Sequence, residues 1–366
     1  MPIIIHALGI VVKYIFLNMR AFIQFIQKRN AVLTLSELDT VVFTHNLGGG
    51  TEKYVRNNFY KENILIVRLI SYRRDAYFLL EHLSEQKILR KKDLFSFLDL
   101  IDVSKLTVNS LCAYSKPKDI LNYVVQKSVF CKVAYLVHDF NAVCPTTTFV
   151  VGKKFCHYDC SHCSFGGKKI GSWQSMWDKF LSHAHEIVCF SESSKQILCK
   201  FYAGISAKIT VVPHSMNYCT FTPIKIDGTF RNIAVVGNCS NIPKGKLVIK
   251  KLVRAVKKEK KRKLYIVGKA PFFFHRNSRF VCYTGAYELK ILPEILTSGQ
   301  IGVIVFTSIL PETFSYAVSE FMKLGLYIVS LDIGAQGEKL HGYDKTVFVP
   351  NLEPESILAG VEKCFI

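Results

Sequence analysis

The chain has 366 residues, 49% of them hydrophobic and 21% charged, which excludes a disordered polymer and leaves room for two domains of ordinary size. Its formal charge of +20 points to acidic partners such as phosphorylated substrates, anionic lipid headgroups or nucleic acid. Twelve cysteines are scattered along it, many in apolar stretches and with no clear cleavable signal peptide, so a reduced, cytoplasmic protein is expected.

Residues 1–30 open the chain as an amphipathic segment. His6, Lys13, Arg20, Gln24 and Gln27 fall on one narrow helical stripe, with apolar residues over most of the rest. Charge interrupts it too often for a membrane span. It reads either as an interfacial helix on an anionic membrane or as a helix docked on its own domain. From Thr40 onward strand and helix patterns alternate. Strands are expected at Thr40–His45, Asn63–Leu69, Leu106–Asn109, Lys132–Val137, Glu186–Phe190 and Lys208–Val212. In the second half they are expected at Asn232–Val236, Lys263–Val267, Arg279–Tyr283, Ile301–Phe306, Leu326–Leu331 and Thr346–Val349. Most are short and continuously apolar, as strands buried on both faces of a parallel sheet are. Helices are expected between them, among them Glu52–Tyr60, Lys244–Lys257 and Leu289–Thr297. The pattern is that of two doubly wound α/β domains. Domain boundaries are placed at 31–222 and 223–366, with a linker over Asn217–Phe230.

In such folds ligands sit at the carboxyl ends of strands, and most polar or glycine-rich motifs of this chain fall there. The first strand runs into His45-Asn46-Leu47-Gly48-Gly49-Gly50-Thr51-Glu52, a turn that lets backbone approach a ligand. His138-Asp139 ends the fourth strand, where an imidazole can hydrogen-bond a hydroxyl. Cys144, Cys156, Cys160 and Cys163 follow in one long connection. Four thiolates can hold a structural zinc, although the spacing is not that of a standard finger and ordinary buried thiols explain it as well. Later, Gly237 to Gly245 follows a strand and opens a helix, which puts Lys244 where a diphosphate binds. Gly268-Lys269 ends the next strand, and Thr284-Gly285-Ala286-Tyr287 the one after, where backbone groups can meet the edge of a base.

The most informative stretch is Pro311 to Gly325. The strand Ile301–Phe306 delivers Glu312 into a loop, a helix starts near Thr313 to Ser315, and Glu320 lies on it, with Gly325 as its stop. Free backbone N–H groups of the first turn make an anion site. The plain alternative makes Glu312 a capping acid and Glu320 a solvated helix residue.

Together these motifs resemble the retaining GT-B glycosyltransferases of the family 4 type, also called glycosyl transferases group 1, and bacterial members that build surface polysaccharide in particular. The carriers are the His45 to Glu52 turn, His138-Asp139-Phe140 with Cys144-Pro145, Val212-Pro213-His214, Lys244-Gly245, Thr284 to Tyr287 and Pro311 to Glu320. The resemblance implies a GT-B fold, two Rossmann-like domains facing a central cleft, and sugar transfer from a nucleotide-sugar donor to a lipid-linked or oligosaccharide acceptor. It implies that Glu312 contacts the transferred sugar, with His138 beside it. Glu320 would bind the ribose and Lys244 the diphosphate. Gly49 and Gly50 would approach the sugar-phosphate, and Thr313, Phe314 and Ser315 would offer backbone N–H groups. No cofactor is then required for catalysis, an anionic membrane surface is a partner, nucleic acid is not, and the enzyme sits peripherally on the inner face of the cell membrane. One departure stands out: Asn238 occupies the place of an arginine frequent in the family, with Lys246 or Lys269 nearest to compensate. The rival readings are a basic, zinc-containing nucleic-acid-binding protein and a catalytically inactive GT-B partner subunit.

Overall fold

The structure is a computed structural model that describes residues 26–70, 77–112, 114, 116–161, 163, 167–271, 274–275 and 277–365. Residues 1–25, most of the amphipathic segment expected at 1–30, lie outside the described residues. Among the described residues no helix is long and apolar enough to cross a membrane. The described residues form two compact units, one within 26–136 and 176–187, the other within 137–175 and 188–365.

In the first unit the strands are β1 (Thr40–His45), β2 (Ile64–Leu69), β3 (Tyr77–His82), β4 (Glu85–Arg90), β5 (Lys105–Val108) and β6 (Lys132–Leu136). They lie in the order β6-β5-β1-β2-β3-β4. Pairing is parallel from β6 through β2 and antiparallel across β3 and β4. Every residue of β1 and β2 is buried, which explains their continuous apolar runs. The β3–β4 hairpin has no signal in the sequence. Its stretch is rich in Leu and Glu, as a helix would be. Pairing against β2 overrides that preference, and it buries Phe78, Leu80 and Ile88. Helix α1 (Gly49–Asn58) follows β1, α2 (Lys91–Leu98) follows β4, and α3 (Lys118–Lys127) precedes β6.

The second unit starts with a small hairpin, β7 (Val150–Val151) and β8 (Lys154–Phe155). The chain continues through α4 (Gly167–His183) and β9 (Glu186–Cys189), of which residues 176–187 belong to the first unit, then through α5 (Glu192–Phe201) and β10 (Ile209–Val211); β9 and β10 extend the first sheet beyond β6 in the order β10-β9-β6. Its six-stranded sheet comprises β11 (Asn232–Val236), β12 (Leu264–Val267), β13 (Val281–Gly285), β14 (Ile301–Val305), β15 (Tyr327–Ser330) and β16 (Thr346–Phe348). All pair in parallel, in the order β13-β12-β11-β14-β15-β16. This is the doubly wound order, with the strand sequence reversing between β11 and β14. Helices α6 (Lys246–Glu259) and α10 (Pro354–Lys363) pack Ile249, Leu252, Val256, Ile357 and Val361 on one face. Helices α7 (Leu292–Ser298), α8 (Tyr316–Lys323) and α9 (Gly334–Leu340) pack Leu292, Leu296, Val318, Phe321 and Leu340 on the other. Each such side chain contributes about 1.5–3 kcal/mol of burial free energy. All twelve expected strands are present, each within about two residues of its expected ends.

Candidate functional site

Strand β14 is buried throughout, and the chain leaving its carboxyl end is held by α9. The Glu312 N–H donates to Gln336 Oε1 at 2.8 Å, Gln336 Nε2 donates to the Leu310 carbonyl at 2.7 Å, and the Ala335 N–H donates to the Glu312 carbonyl at 2.9 Å. Gln336 is fully buried. The helix meets this loop so closely that a Cβ on Gly334, whose φ is +58°, would lie 2.6 Å from Pro311 Cα. The backbone of Glu312 is therefore fixed on three sides.

Its carboxylate is fixed by Lys244, whose Nζ donates to Glu312 Oε1 at 2.5 Å. Lys244 is positioned by a second close approach. Gly245 has φ +94°, a Cβ there would meet Thr307 at 2.4 Å, and Thr307 Oγ1 donates to the Lys244 carbonyl at 3.0 Å. That left-handed glycine is also why α6 starts at Lys246 and not at Lys244, where the sequence pattern begins. Burial pushes the Glu312 carboxyl up, but the Lys244 ammonium and hydroxyl hydrogen bonds outweigh it and hold the group below the usual carboxylate range. A capping acid in solvent would have neither partner.

Helix α8 begins at Tyr316, just after the residues expected to start it. Ser315 is its N-cap, in the left-handed region at φ +61°. Glu320 lies a little over one turn in, only 9% exposed, and accepts a hydrogen bond from the Tyr218 hydroxyl at 2.7 Å. The burial rules out a solvated helix residue. Tyr287 stands near this carboxylate: burial, then the charge of Glu320, pushes its hydroxyl up to about 12. Gly325 ends the helix with φ +70°, as expected.

His138 lies beyond β6. The Val137 N–H donates to the Val188 carbonyl and the Val212 N–H to the Cys189 carbonyl, both at 2.9 Å. His138, Phe190 and His214 therefore emerge side by side. The His138 and His214 rings stack at 5.4 Å, His214 stacks on Phe190 at 3.8 Å and on Tyr316 at 5.1 Å, and Phe314 meets His214 edge-on at 4.6 Å. Thr313 Oγ1 donates to the His138 carbonyl at 3.0 Å, and Ser194 Oγ donates to the Thr313 carbonyl at 3.2 Å. Burial, reinforced by the charge of Lys339, pushes His214 down to about 3, so it is neutral. Asp139 caps the turn onto the Asn141 N–H.

The structure thus brings Lys244, Glu312, Thr313, Phe314, Ser315, Glu320 and His138 into one connected set, with Tyr287 beside Glu320. Sequence reasoning gave no role to His214, Tyr218, Gln336 or Lys339. His214 was visible as part of the Val212-Pro213-His214 motif, whereas the other three carry no local signal. Lys269 is exposed beyond the end of β12, and its carbonyl accepts from the Cys239 N–H. Gly285 ends β13 with φ +81°. In the first unit α1 starts at Gly49, not at Glu52. Gly48 and Gly49 have φ of 76° and 77°, with open space around both. Glu52 points back from the first turn to Arg68, which also donates to Glu81 and to the His45 carbonyl at 3.1 Å. This buried network braces the turn that carries Gly49 and Gly50.

Cys144, Cys156, Cys160 and Cys163 are all free thiols. Cys144 and Cys160 are pushed up by burial and by the other thiols of the group. Among the described residues no three His, Cys, Asp or Glu side chains are grouped as a metal site.

Two α/β units, one on a mixed sheet and one on a parallel sheet, give the GT-B fold. Sucrose-phosphate synthase of Thermosynechococcus elongatus superimposes with a TM-score of 0.60 at 13% identity, covering 89% of each chain. HepE of Anabaena, in complex with UDP and glucose, superimposes with a TM-score of 0.56 at 12% identity, again over 89% of each chain. Residues 231–365, which hold Lys244, Glu312 and Glu320, match the glycosyl transferases group 1 family. No curated protein matches the chain by sequence.

Proposed function

We propose that the protein is a glycosyltransferase that moves a sugar from a nucleotide-sugar donor to a lipid-linked or oligosaccharide acceptor. One observation carries the reading. Two hydrogen-bonded carboxylates flank the start of α8, the half-buried Glu312 on Lys244 and the buried Glu320 on Tyr218. Such an arrangement offers one acid to a sugar, one to a ribose, and a lysine with a helix N-terminus to the diphosphate between them. The group 1 match over residues 231–365 supports it, as does the likeness to HepE, solved with UDP-glucose.

Donor binding draws Lys244 toward the diphosphate and releases Glu312 for the sugar hydroxyls. The acceptor attacks the anomeric carbon from the face the phosphate leaves, and the departing phosphate oxygen takes the acceptor's proton, so configuration is retained. Lys244 and the α8 N-terminus stabilise the negative charge that develops on the leaving group, which is the work a divalent metal does elsewhere. The +20 charge brings the enzyme to the anionic inner face of the cell membrane, where a lipid-linked acceptor of surface polysaccharide synthesis lies. A zinc on Cys144, Cys156, Cys160 and Cys163 would serve only to stiffen their connection.

Glu312→Gln and Glu320→Ala test the assignment. The first abolishes transfer and leaves nucleoside diphosphate binding within about threefold. The second weakens that binding tenfold or more, as expected for a lost hydrogen-bonded charge worth about 1.5–3 kcal/mol. Equal loss of binding in both refutes the division of roles.

A further inference from the structure

We propose that Lys339 is the second cation of this site and binds the donor's diphosphate together with Lys244. The inference rests on the donor-site reading above and names a residue that neither the motifs nor the family resemblance singles out. Lys339 lies on α9, yet its side chain crosses to the start of α8. Its Nζ sits 3.2 Å above the centre of the Phe314 ring, donates to Ser319 Oγ at 2.7 Å and lies 3.3 Å from the Ser315 carbonyl.

This is an unfavourable place for an ammonium without an anion. A helix N-terminus repels cations, and burial removes the water that would solvate the charge. Among the described residues no carboxylate closes an ion pair with Lys339. The acids around it are committed elsewhere. Glu312 accepts from Lys244. Glu338 accepts from the backbone N–H groups of Glu192 at 3.1 Å and Ser193 at 2.6 Å. Glu320 accepts from Tyr218. Of these acids only Glu312 accepts from one of the two ammonium groups, so Lys339 stands at a helix N-terminus with no carboxylate bonded to it, a place that suits a ligand carrying two or three negative charges. It also answers the departure at Asn238: the lysines expected to compensate were Lys246 and Lys269, and Lys269 is exposed, whereas Lys339 is beside Glu312.

The placement leaves a pH signature. Burial lowers the Lys339 ammonium to about 7, against the opposing charges of Glu312 and Glu338. His214, whose ring also meets Phe314, lies near 3 and does not change charge above neutrality. A diphosphate binds the protonated lysine, so its affinity falls as pH rises through 7 and beyond.

Isothermal titration with UDP and uridine, GDP and guanosine, and ADP and adenosine tests this on the whole chain, carrying forward the pair whose diphosphate binds best. If wild type binds no diphosphate, the donor-site reading itself fails. If it binds one, Lys339→Met weakens the diphosphate at least tenfold and leaves the nucleoside within about twofold. Lys339→Arg keeps most of the affinity at pH 7. Wild-type affinity for the diphosphate drops roughly tenfold or more from pH 7 to 8.5, and the arginine variant lacks that drop. Unchanged diphosphate binding in Lys339→Met overturns the proposal, as does equal loss of nucleoside and diphosphate, which would mark a structural lysine. Should the methionine variant fail to fold, equal pH profiles for wild type and Lys339→Arg overturn it alone.

Discussion

Replacing Gln336 by leucine keeps the side-chain volume but removes both halves of the clamp on the Glu312 loop. The Glu312 N–H loses the 2.8 Å bond to Oε1, and the Leu310 carbonyl loses the 2.7 Å bond from Nε2. Gln336 is fully buried, so water cannot replace either partner without opening the loop. Each stranded group costs about 1–3 kcal/mol, together roughly 2–6 kcal/mol. For a unit of this size that lowers the melting temperature by about 4–24 °C. Scanning thermal denaturation reads it directly. The loss should also appear in transfer, since the loop carries the carboxylate paired with Lys244. A melting temperature within about 2 °C of wild type, with transfer intact, refutes the claim that α9 positions Glu312.

Acidification strips stability through His214. The folded ring stays neutral down to about 3, while the unfolded one binds a proton near pH 6.5, so this one group removes about 1.4 kcal/mol per pH unit as pH falls below about 6. His214→Phe keeps the stacking and lowers that slope in denaturant titrations between pH 6 and 4; an unchanged slope contradicts a buried neutral histidine. Chelation with EDTA leaves transfer unchanged, since Lys244 and the helix N-terminus carry the phosphate charge, and a loss restored by a divalent cation would contradict that assignment.

The strands of the second unit were legible because burial on both faces writes itself as short runs of Ile, Val and Leu. The Glu312 loop was legible because it follows such a run and precedes a helix with a glycine stop. What the sequence hid depends on distant partners. Tyr218 reaches Glu320 across 102 positions, and Lys339 reaches Ser319 across 20, so neither has a local pattern. The β3–β4 hairpin was hidden for a related reason: its residues favour helix, and only pairing with β2 makes them strands. The start of α1 was misplaced because glycines that look like a turn can also enter a helix once Gly48 and Gly49 supply positive φ. The cysteine spacing suggested a metal-binding arrangement, yet the described thiols are not grouped as one.

The central claim is that the start of α8, with Lys244 and Glu320, binds a nucleotide. Calorimetric titration of wild type, Lys244→Met and Glu320→Ala with UDP, GDP and ADP tests it most directly. The account predicts saturable binding of at least one diphosphate by wild type, weakened tenfold or more in each variant. Absence of binding by wild type, or equal affinity in all three proteins, contradicts it.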